Sequence, residues 1–363
     1  MKVLYTTNIL SFYRVDFFNE LGKKCDLTVT YESKKVNDRD DKFYKFNNEN
    51  FNSIIMSKNP IKIIKILNQQ YDYIVIGTYA TFSSAFCILL LKLLNKKFII
   101  NADGGFIGND TALSKFLKKF FISKADFYLS SGNETNKYLT YYGARKEKIY
   151  IYPFTSLFDK DILNKPKTKK EKNLLRKKYN IDADKKIFIT IGRFYYIKGN
   201  DIIINNVRKN KYENCEFYII SGGELKEEYQ KIINDNDLKN VHLIDYLDRK
   251  TLYDYLILSD VLIMPSRGDV WGLVINEAMA VGLPVISSNK CIAGLELINK
   301  KYIFDIEKTE QLTNLIEMFL EMSDDELFKI GKKNINKIKN YTIENMADEH
   351  IRIFCKIKES EKC

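Results

Sequence analysis

The sequence is sparing in several residue types. It has five prolines, sixteen glycines, two histidines and one tryptophan in 363 residues. So few chain breakers exclude a long low-complexity linker, and the length then suits two ordered domains of about 100–200 residues each. Apolar residues make up 45% of the chain, enough for two cores. Long apolar runs are missing. The most hydrophobic stretch, Ser83–Leu94, is about a dozen residues long and carries Lys92, too short to cross a bilayer and suited to a buried helix. Met1-Lys2-Val3-Leu4-Tyr5 opens a short strand and shows no secretory pattern. The six cysteines, Cys25, Cys87, Cys215, Cys291, Cys355 and Cys363, form no C-x-x-C pair, which favours a reduced, cytoplasmic protein without zinc. His242 and His350 both fall outside the N-terminal half, so that half has no imidazole for acid–base chemistry.

Acidic residues are under-represented, but only in one half. The chain holds 58 basic and 47 acidic residues, net +11; up to Lys165 the numbers are 25 and 16, and beyond it 33 and 31. Nucleic acid does not fit this excess, since no zinc, RNP-like or helix-turn-helix signature accompanies it and the aromatics are dispersed. An anionic membrane surface or a lipid-diphosphate acceptor fits better. Within the basic half, Leu113–Phe121 (LSKFLKKFF) has apolar residues at helical spacing with lysines between them. It reads either as a membrane-facing amphipathic helix or as a core-facing helix with a solvated lysine edge.

Strand and helix patterns alternate along the chain, which predicts parallel sheets with helices on both faces. Strands are expected at Lys2–Thr6, Asp26–Tyr31, Asp72–Gly77, Lys97–Asn101, Asp126–Ser130 and Ile149–Tyr152. Helices are expected near Val15–Lys24, Pro60–Gln70, Thr81–Leu94, Ala112–Ile122 and Asn133–Tyr141. Charged Lys165–Lys178 reads as a connection plus a solvated helix. A second strand–helix series runs from Lys186 to Phe304, and a last amphipathic helix, capped by Thr342, runs onward to Ile357.

Two segments carry chemistry. In the first, the apolar run Asp260–Met264 enters Pro265-Ser266-Arg267-Gly268-Asp269-Val270-Trp271-Gly272 and then Leu273-Val274-Ile275-Asn276-Glu277. This is a buried strand, a small-residue turn and a helix start, with Gly282 as a left-handed cap and Pro284 barring continuation. Such a crevice beyond strand ends favours an anionic ligand. Along one continuous helix Asp269 and Glu277 would stand about 12 Å apart, beyond the roughly 5–9.5 Å of a glycosidase pair. Asp269 is therefore assigned to the loop beside a transferred sugar, and Glu277 to the hydroxyls of a ribose. In the second segment, Ile187–Ile191 runs into Gly192-Arg193 and then Lys198-Gly199. Gly192 is expected to make a tight turn. Arg193 and Lys198 bring two cations to one loop before a helix, a combination suited to a diphosphate.

Together IGRFYYIKGND and PSRGDVWGLVINEAMAVGLPVIS resemble the signature of family 4 retaining glycosyltransferases. That resemblance implies the GT-B fold: α/β, two Rossmann-like doubly wound parallel-sheet domains facing an interdomain cleft. Residues 1–164 would be the acceptor-binding domain, 165–341 the nucleotide-sugar-binding domain, and 342–363 a helix crossing back to the first. Ser221-Gly222-Gly223-Glu224 and Asn240-Val241-His242-Leu243 fall where the family has its other donor-domain elements. By carry-over, Arg193 and Lys198 hold the donor diphosphate and Glu277 the ribose. Asp269 with Gly272 and Leu273 contacts the donor sugar, and Gly192, Gly222 and Leu243 complete the pocket. Three departures stand out: Asp269 replaces the first glutamate of the family's E-x7-E, Asp245 stands where the family usually has glycine, and Thr6–Arg14 lacks glycines.

In the N-terminal half, Asp103 follows a buried strand and is the candidate polar group near the donor sugar, against a plain Asp-Gly turn. Arg14 is a second candidate there, against a surface role. Neither Asp38-Arg39-Asp40 nor Asp182-Ala183-Asp184 ends a hydrophobic strand, so no metal and no cofactor are expected. The resemblance implies a UDP-sugar or GDP-sugar donor and a glycan or lipid-linked acceptor in bacterial surface polysaccharide synthesis. The setting would be cytoplasmic, peripheral on the inner face of the plasma membrane. The alternative is a GT-B subunit that binds and stabilises a partner glycosyltransferase; a nucleotide-sugar epimerase is disfavoured by the lack of an N-terminal histidine.

Overall fold

The computed structural model describes residues 1–33, 49–56, 60–210 and 212–361. The chain forms two compact units, Met1–Phe158 with Tyr341–Cys363, and Asp159–Asn340. Asp38-Arg39-Asp40 lies outside the described residues.

Unit 1 is built on seven parallel strands: β1 (Lys2–Ile9), β2 (Asp26–Ser33), β3 (Asn52–Ile55), β4 (Tyr73–Ile76), β5 (Ile99–Ala102), β6 (Phe127–Ser130) and β7 (Ile149–Ile151), in the order β3-β2-β1-β4-β5-β6-β7. Strand β3, whose NSII run is short and half polar, has no counterpart in the sequence reading; it pairs with β2 from Thr28↔Asn52 to Tyr31↔Ile55. Alternation along β1 sends successive side chains to opposite faces. Tyr5 meets Phe17 and Phe18 of helix α1 (Phe12–Gly22). Leu4 joins the cluster under the other face, with residues of α2 (Pro60–Leu67), α3 (Phe82–Leu93), α4 (Ala112–Ile122) and α5 (Asn133–Tyr141). The C-terminal helix Ile343–Ser360 packs beside α1: Tyr73 stacks on Phe354 at 4.7 Å and its hydroxyl donates to the Phe354 carbonyl at 2.6 Å.

Unit 2 has six parallel strands: β8 (Lys186–Ile191), β9 (Cys215–Ile220), β10 (Val241–Ile244), β11 (Val261–Met264), β12 (Val285–Ser288) and β13 (Ile303–Phe304), in the order β10-β9-β8-β11-β12-β13. Its first helices are α6 (Lys169–Lys178), α7 (Asn200–Asn210), α8 (Lys226–Asp235), α9 (Arg249–Leu258) and α10 (Leu273–Ala280). The sequence reading made α6 a solvated helix. One face of it is not. Arg176 is fully buried; its guanidinium bonds Asp260 at 2.6 Å and the carbonyls of Leu258, Ala183 and Lys185. Asp260 in turn accepts from the Ile187 amide at 2.9 Å. Burial alone would raise the Asp260 carboxyl, but the Lys172 and Arg176 charges hold it down to about 2. A buried charge has to be paired and hydrogen-bonded, and this triad ties α6 to the starts of β8 and β11.

Candidate active site

In unit 2 the strand order reverses between β8 and β11, the switch point where ligands of such sheets bind beyond the strand ends. The loops leaving these strands are latched together. The Arg267 amide donates to the Ile197 carbonyl at 2.8 Å, and its guanidinium takes Asp201 through two bonds of 2.7 and 2.6 Å. The same guanidinium lies 3.9 Å from the Tyr196 ring centroid. Gly199 has φ +72, and a Cβ there would sit 2.1 Å from the Pro265 carbonyl oxygen, so the two backbones touch where no side chain fits. The chain bends at Gly192, directly after β8, and the left-handed residue of the loop is Gly199. Gly192 continues from β8, its amide bonded to Ile220 O at 3.2 Å, and the Lys198 side chain packs 3.7 Å from where its Cβ would be. In the β9–α8 loop Ser221 and Gly223 have positive φ, and the Gly222 carbonyl accepts from the Phe194 amide at 2.9 Å.

The latch brings a cation and an acid together. Lys198 Nζ stands 2.5 Å from Asp269 Oδ2, and the two side chains keep 22% and 13% of their exposure. The Asp269 backbone is fixed by its amide to Lys290 O at 2.8 Å and by a bridge to Cys291. Gly272 then turns the chain into α10 with φ +98; a Cβ there would lie 2.5 Å from Cys291 Sγ. Trp271, buried, donates from Nε1 to Asn276 Oδ1 at 2.9 Å and closes the turn from beneath. Leu273 opens α10, which gives the amides of its first turn to the site.

The remaining candidates are spread more widely. Arg193, next to Gly192, places its guanidinium 4.9 Å from the Tyr195 ring. Leu243 is partly buried on β10. Glu277, five residues into α10, neighbours Tyr253 and Arg249 of α9: burial and then the Glu277 charge raise the Tyr253 hydroxyl well above its ordinary range. Arg249 is itself paired with Asp161 at 2.7 Å. Neither Arg249 nor Tyr253 lies in a sequence segment that suggested a role, since α9 reads as an ordinary helix.

Unit 1 has its own cation–acid pair. Asp103, just past β5, accepts from the Arg14 guanidinium, from Tyr152 Oη at 2.8 Å and from Asn101 Nδ2 at 2.9 Å. Arg14 is buried and not a surface group. Burial alone would disfavour its charge, but Asp103 more than reverses that. The C-terminal helix adds His350, whose ring lies 4.6 Å from Tyr152 and 4.7 Å from Phe17. Unit 1 therefore does hold an imidazole, contributed by the far end of the chain. Its Nδ1–H donates to Met346 O at 2.7 Å, and Nε2 is buried with no partner among the described residues. Burial holds its pKa down to about 4.

Among the described residues, no group of three or more His, Cys, Asp or Glu is placed to hold a metal ion, and no helix is long and apolar enough to cross a membrane. Asp182-Ala183-Asp184 is a turn before β8, with the Asp184 amide on Asp182 Oδ1 at 2.9 Å.

Residues 171–338, inside unit 2, match the family glycosyl transferases group 1. A glycosyltransferase of Methanocaldococcus jannaschii, itself uncharacterized, is 27% identical over 309 residues, 79% of this chain and 69% of that protein. The O-antigen biosynthesis glycosyltransferase WclY of Escherichia coli is 30% identical over 189 residues, 51% of this chain and 49% of WclY; the match thus spans about half of that relative. Among solved structures, a glycosyltransferase from Rickettsia africae superposes with a TM-score of 0.76 at 18% identity, covering 98% of both chains. Anabaena HepE in complex with UDP superposes with a TM-score of 0.77 at 14% identity, covering 100% of both. The fold is GT-B, and the group 1 segment with relatives named as glycosyltransferases supports a transferase enzyme.

Proposed function

We propose that this chain is a retaining glycosyltransferase that moves a sugar from a nucleotide diphosphate-sugar to a lipid-linked glycan acceptor in bacterial surface polysaccharide synthesis. The observation that carries the reading is the Lys198–Asp269 pair of 2.5 Å at the switch point of unit 2. On this reading the Asp269 carboxylate occupies the place on Lys198 that a phosphate oxygen would take. A diphosphate draws Lys198 to itself and frees Asp269 to accept hydrogen bonds from the donor sugar. Arg193 adds a second cation, the first amides of α10 face the anion, and Glu277 takes the ribose hydroxyls. Gly192, Gly222, Gly272 and Leu243 line the same donor site. These groups are assigned the leaving-group charge with no divalent ion.

In the reaction, the bond between the sugar's anomeric carbon and the β-phosphate oxygen breaks, and its electron pair leaves with the diphosphate. The acceptor hydroxyl oxygen bonds the anomeric carbon on the same face, and its proton passes to a phosphate oxygen. No enzymic nucleophile is assigned. One preorganised group against the developing charge is worth about 10²–10³ in rate. Asp103 keeps a place in this reading as the carboxylate of unit 1, held by Arg14, Asn101 and Tyr152. WclY acts in O-antigen biosynthesis and HepE binds UDP; those properties support a surface-glycan acceptor and make UDP-sugars the first donors to try, GDP-sugars the second.

A thermal-shift screen tests the donor half: a nucleoside diphosphate at about 100 times its Kd should stabilise the protein by roughly 2.7 kcal/mol. Failure of every UDP and GDP compound to shift the melting temperature contradicts the reading. Binding without any transfer or donor hydrolysis would favour a non-catalytic subunit that stabilises a partner enzyme.

A further inference from the structure

Helix α4 leaves most of its apolar stripe exposed. Of its eleven residues only Ile122 is buried, while Leu113 and Phe116 stand 67% and 62% exposed. Two of the helix's three lysines turn the other way, while Lys119 is exposed. Lys118 pairs with Asp110 at 2.7 Å and lies 5.0 Å from the Tyr142 ring; Lys115 lies 4.9 Å from the Tyr141 ring. Phe121 and Ile122 pack on the inner cluster, Lys115 and Lys118 lie against Tyr141 and Tyr142, and Leu113, Phe116 and Leu117 face outward. Water is a poor solvent for that face, since fully burying one such side chain is worth about 1.5–3 kcal/mol.

The exposure extends beyond one helix. Strands β4, β5 and β6 are neighbours, so the right-handed crossovers through α3 and α4 lie side by side on one face of the sheet. Residues of α2, α3 and α4 cover the same inner cluster. Leu93, at the end of α3, is 82% exposed, and Phe82 and Ile61 are exposed as well. Large apolar side chains exposed on three neighbouring helices point to an interaction site. Charge identifies the occupant. The three helices contain six lysines and no acidic residue; Lys118 and Lys92 are paired with Asp110 and Asp126, and the positive surplus lies on Lys62, Lys65, Lys115 and Lys119. A second copy of the chain would set lysine against lysine. Anionic lipid headgroups above acyl chains complement both properties.

We infer that the α2–α3–α4 face of unit 1 is a docking surface for an anionic bilayer, with Leu113, Phe116 and Leu117 entering the headgroup–acyl boundary. The inference rests on the surface of unit 1; only its biological setting rests on the lipid-linked acceptor proposed above.

Co-sedimentation of the full chain with phosphatidylcholine vesicles, with and without roughly a third phosphatidylglycerol, tests it. Wild type should bind the anionic vesicles, and weaken as salt rises from about 0.1 to 1 M and the screening length shortens. The variant L113S/F116S/L117S should bind at least about tenfold more weakly, with its circular dichroism and its UDP-induced thermal shift unchanged. Lys62→Gln with Lys65→Gln and Lys119→Gln should lower binding to anionic vesicles by about fivefold per charge and leave neutral vesicles unaffected. No binding by wild type, or equal binding by the serine variant, overturns the inference. So does a wild-type dimer that the serine variant dissolves, which would make the face a self-interface. Vesicle binding with no response to any nucleotide would sink the donor reading and leave this one standing.

Discussion

Each unit joins a basic side chain to an aspartate just past a strand end, yet the two pairs are built for opposite purposes. Asp103 in unit 1 is held by three side chains, and its partner Arg14 is buried. Asp269 in unit 2 has one side-chain hydrogen-bond partner among the described residues, a lysine that keeps 22% of its exposure. A guanidinium fixed by burial cannot leave without stranding a charge. An ammonium on a four-carbon stem can. On the proposed reading the locked pair is a fixed carboxylate, and the single pair is the one a ligand would open.

The contrast can be broken from either side. The largest effect is expected in unit 1: Asp103→Ala leaves Arg14 buried without its carboxylate and should cost about 3–5 kcal/mol of stability, read as a lower denaturant midpoint. In unit 2, Lys198→Ala should lower transfer about 10²–10³-fold and move the melting temperature little; wild-type turnover by this variant contradicts the donor site. His350 supplies a pH test of the locked cluster. Its folded pKa of about 4 lies below the ordinary 6.5, so the unfolded chain binds the extra proton first. Stability from the neutral ring is complete above pH 6.5 and is lost as pH falls through 4, in total roughly 3 kcal/mol. His350→Phe should flatten that slope in urea titrations between pH 4 and 6.5. The smallest effect is expected at the open pair: Asp269→Asn removes the competing anion, and UDP should bind about tenfold tighter, near 1.4 kcal/mol, while transfer falls.

Much of unit 2 is legible in its sequence, because turn chemistry there is local. Gly272 and Gly282 adopt the left-handed conformation, and α10 runs from Leu273 to Ala280 between them. The two loop segments also point to a shared site. Which glycine of the first loop is left-handed does not follow from order alone: Gly192 and Gly199 both flank the cations, and Gly199 is the one against the Pro265 carbonyl. The Lys198–Asp269 pair, the Arg267–Asp201 latch and the burial of Arg176 each join residues more than sixty positions apart, so no local period reports them. Unit 1 is harder to read. The polar cluster takes His350 from the last helix, and NSII at β3 is too short to show an alternation. In α4 the periodicity gives two stripes, apolar and lysine, but not which one faces in. Tyr141, Tyr142 and Asp110 hold Lys115 and Lys118, and Leu113, Phe116 and Leu117 are left exposed.

The most direct test is a double-mutant cycle on UDP binding by calorimetry, with wild type, Lys198→Ala, Asp269→Asn and the double variant. If Asp269 stands in for a phosphate on Lys198, the tenfold tightening caused by Asp269→Asn should vanish when Lys198 is absent. The same tightening on the Lys198→Ala background would show that the carboxylate repels the ligand without the lysine, and the exchange of partners would be wrong.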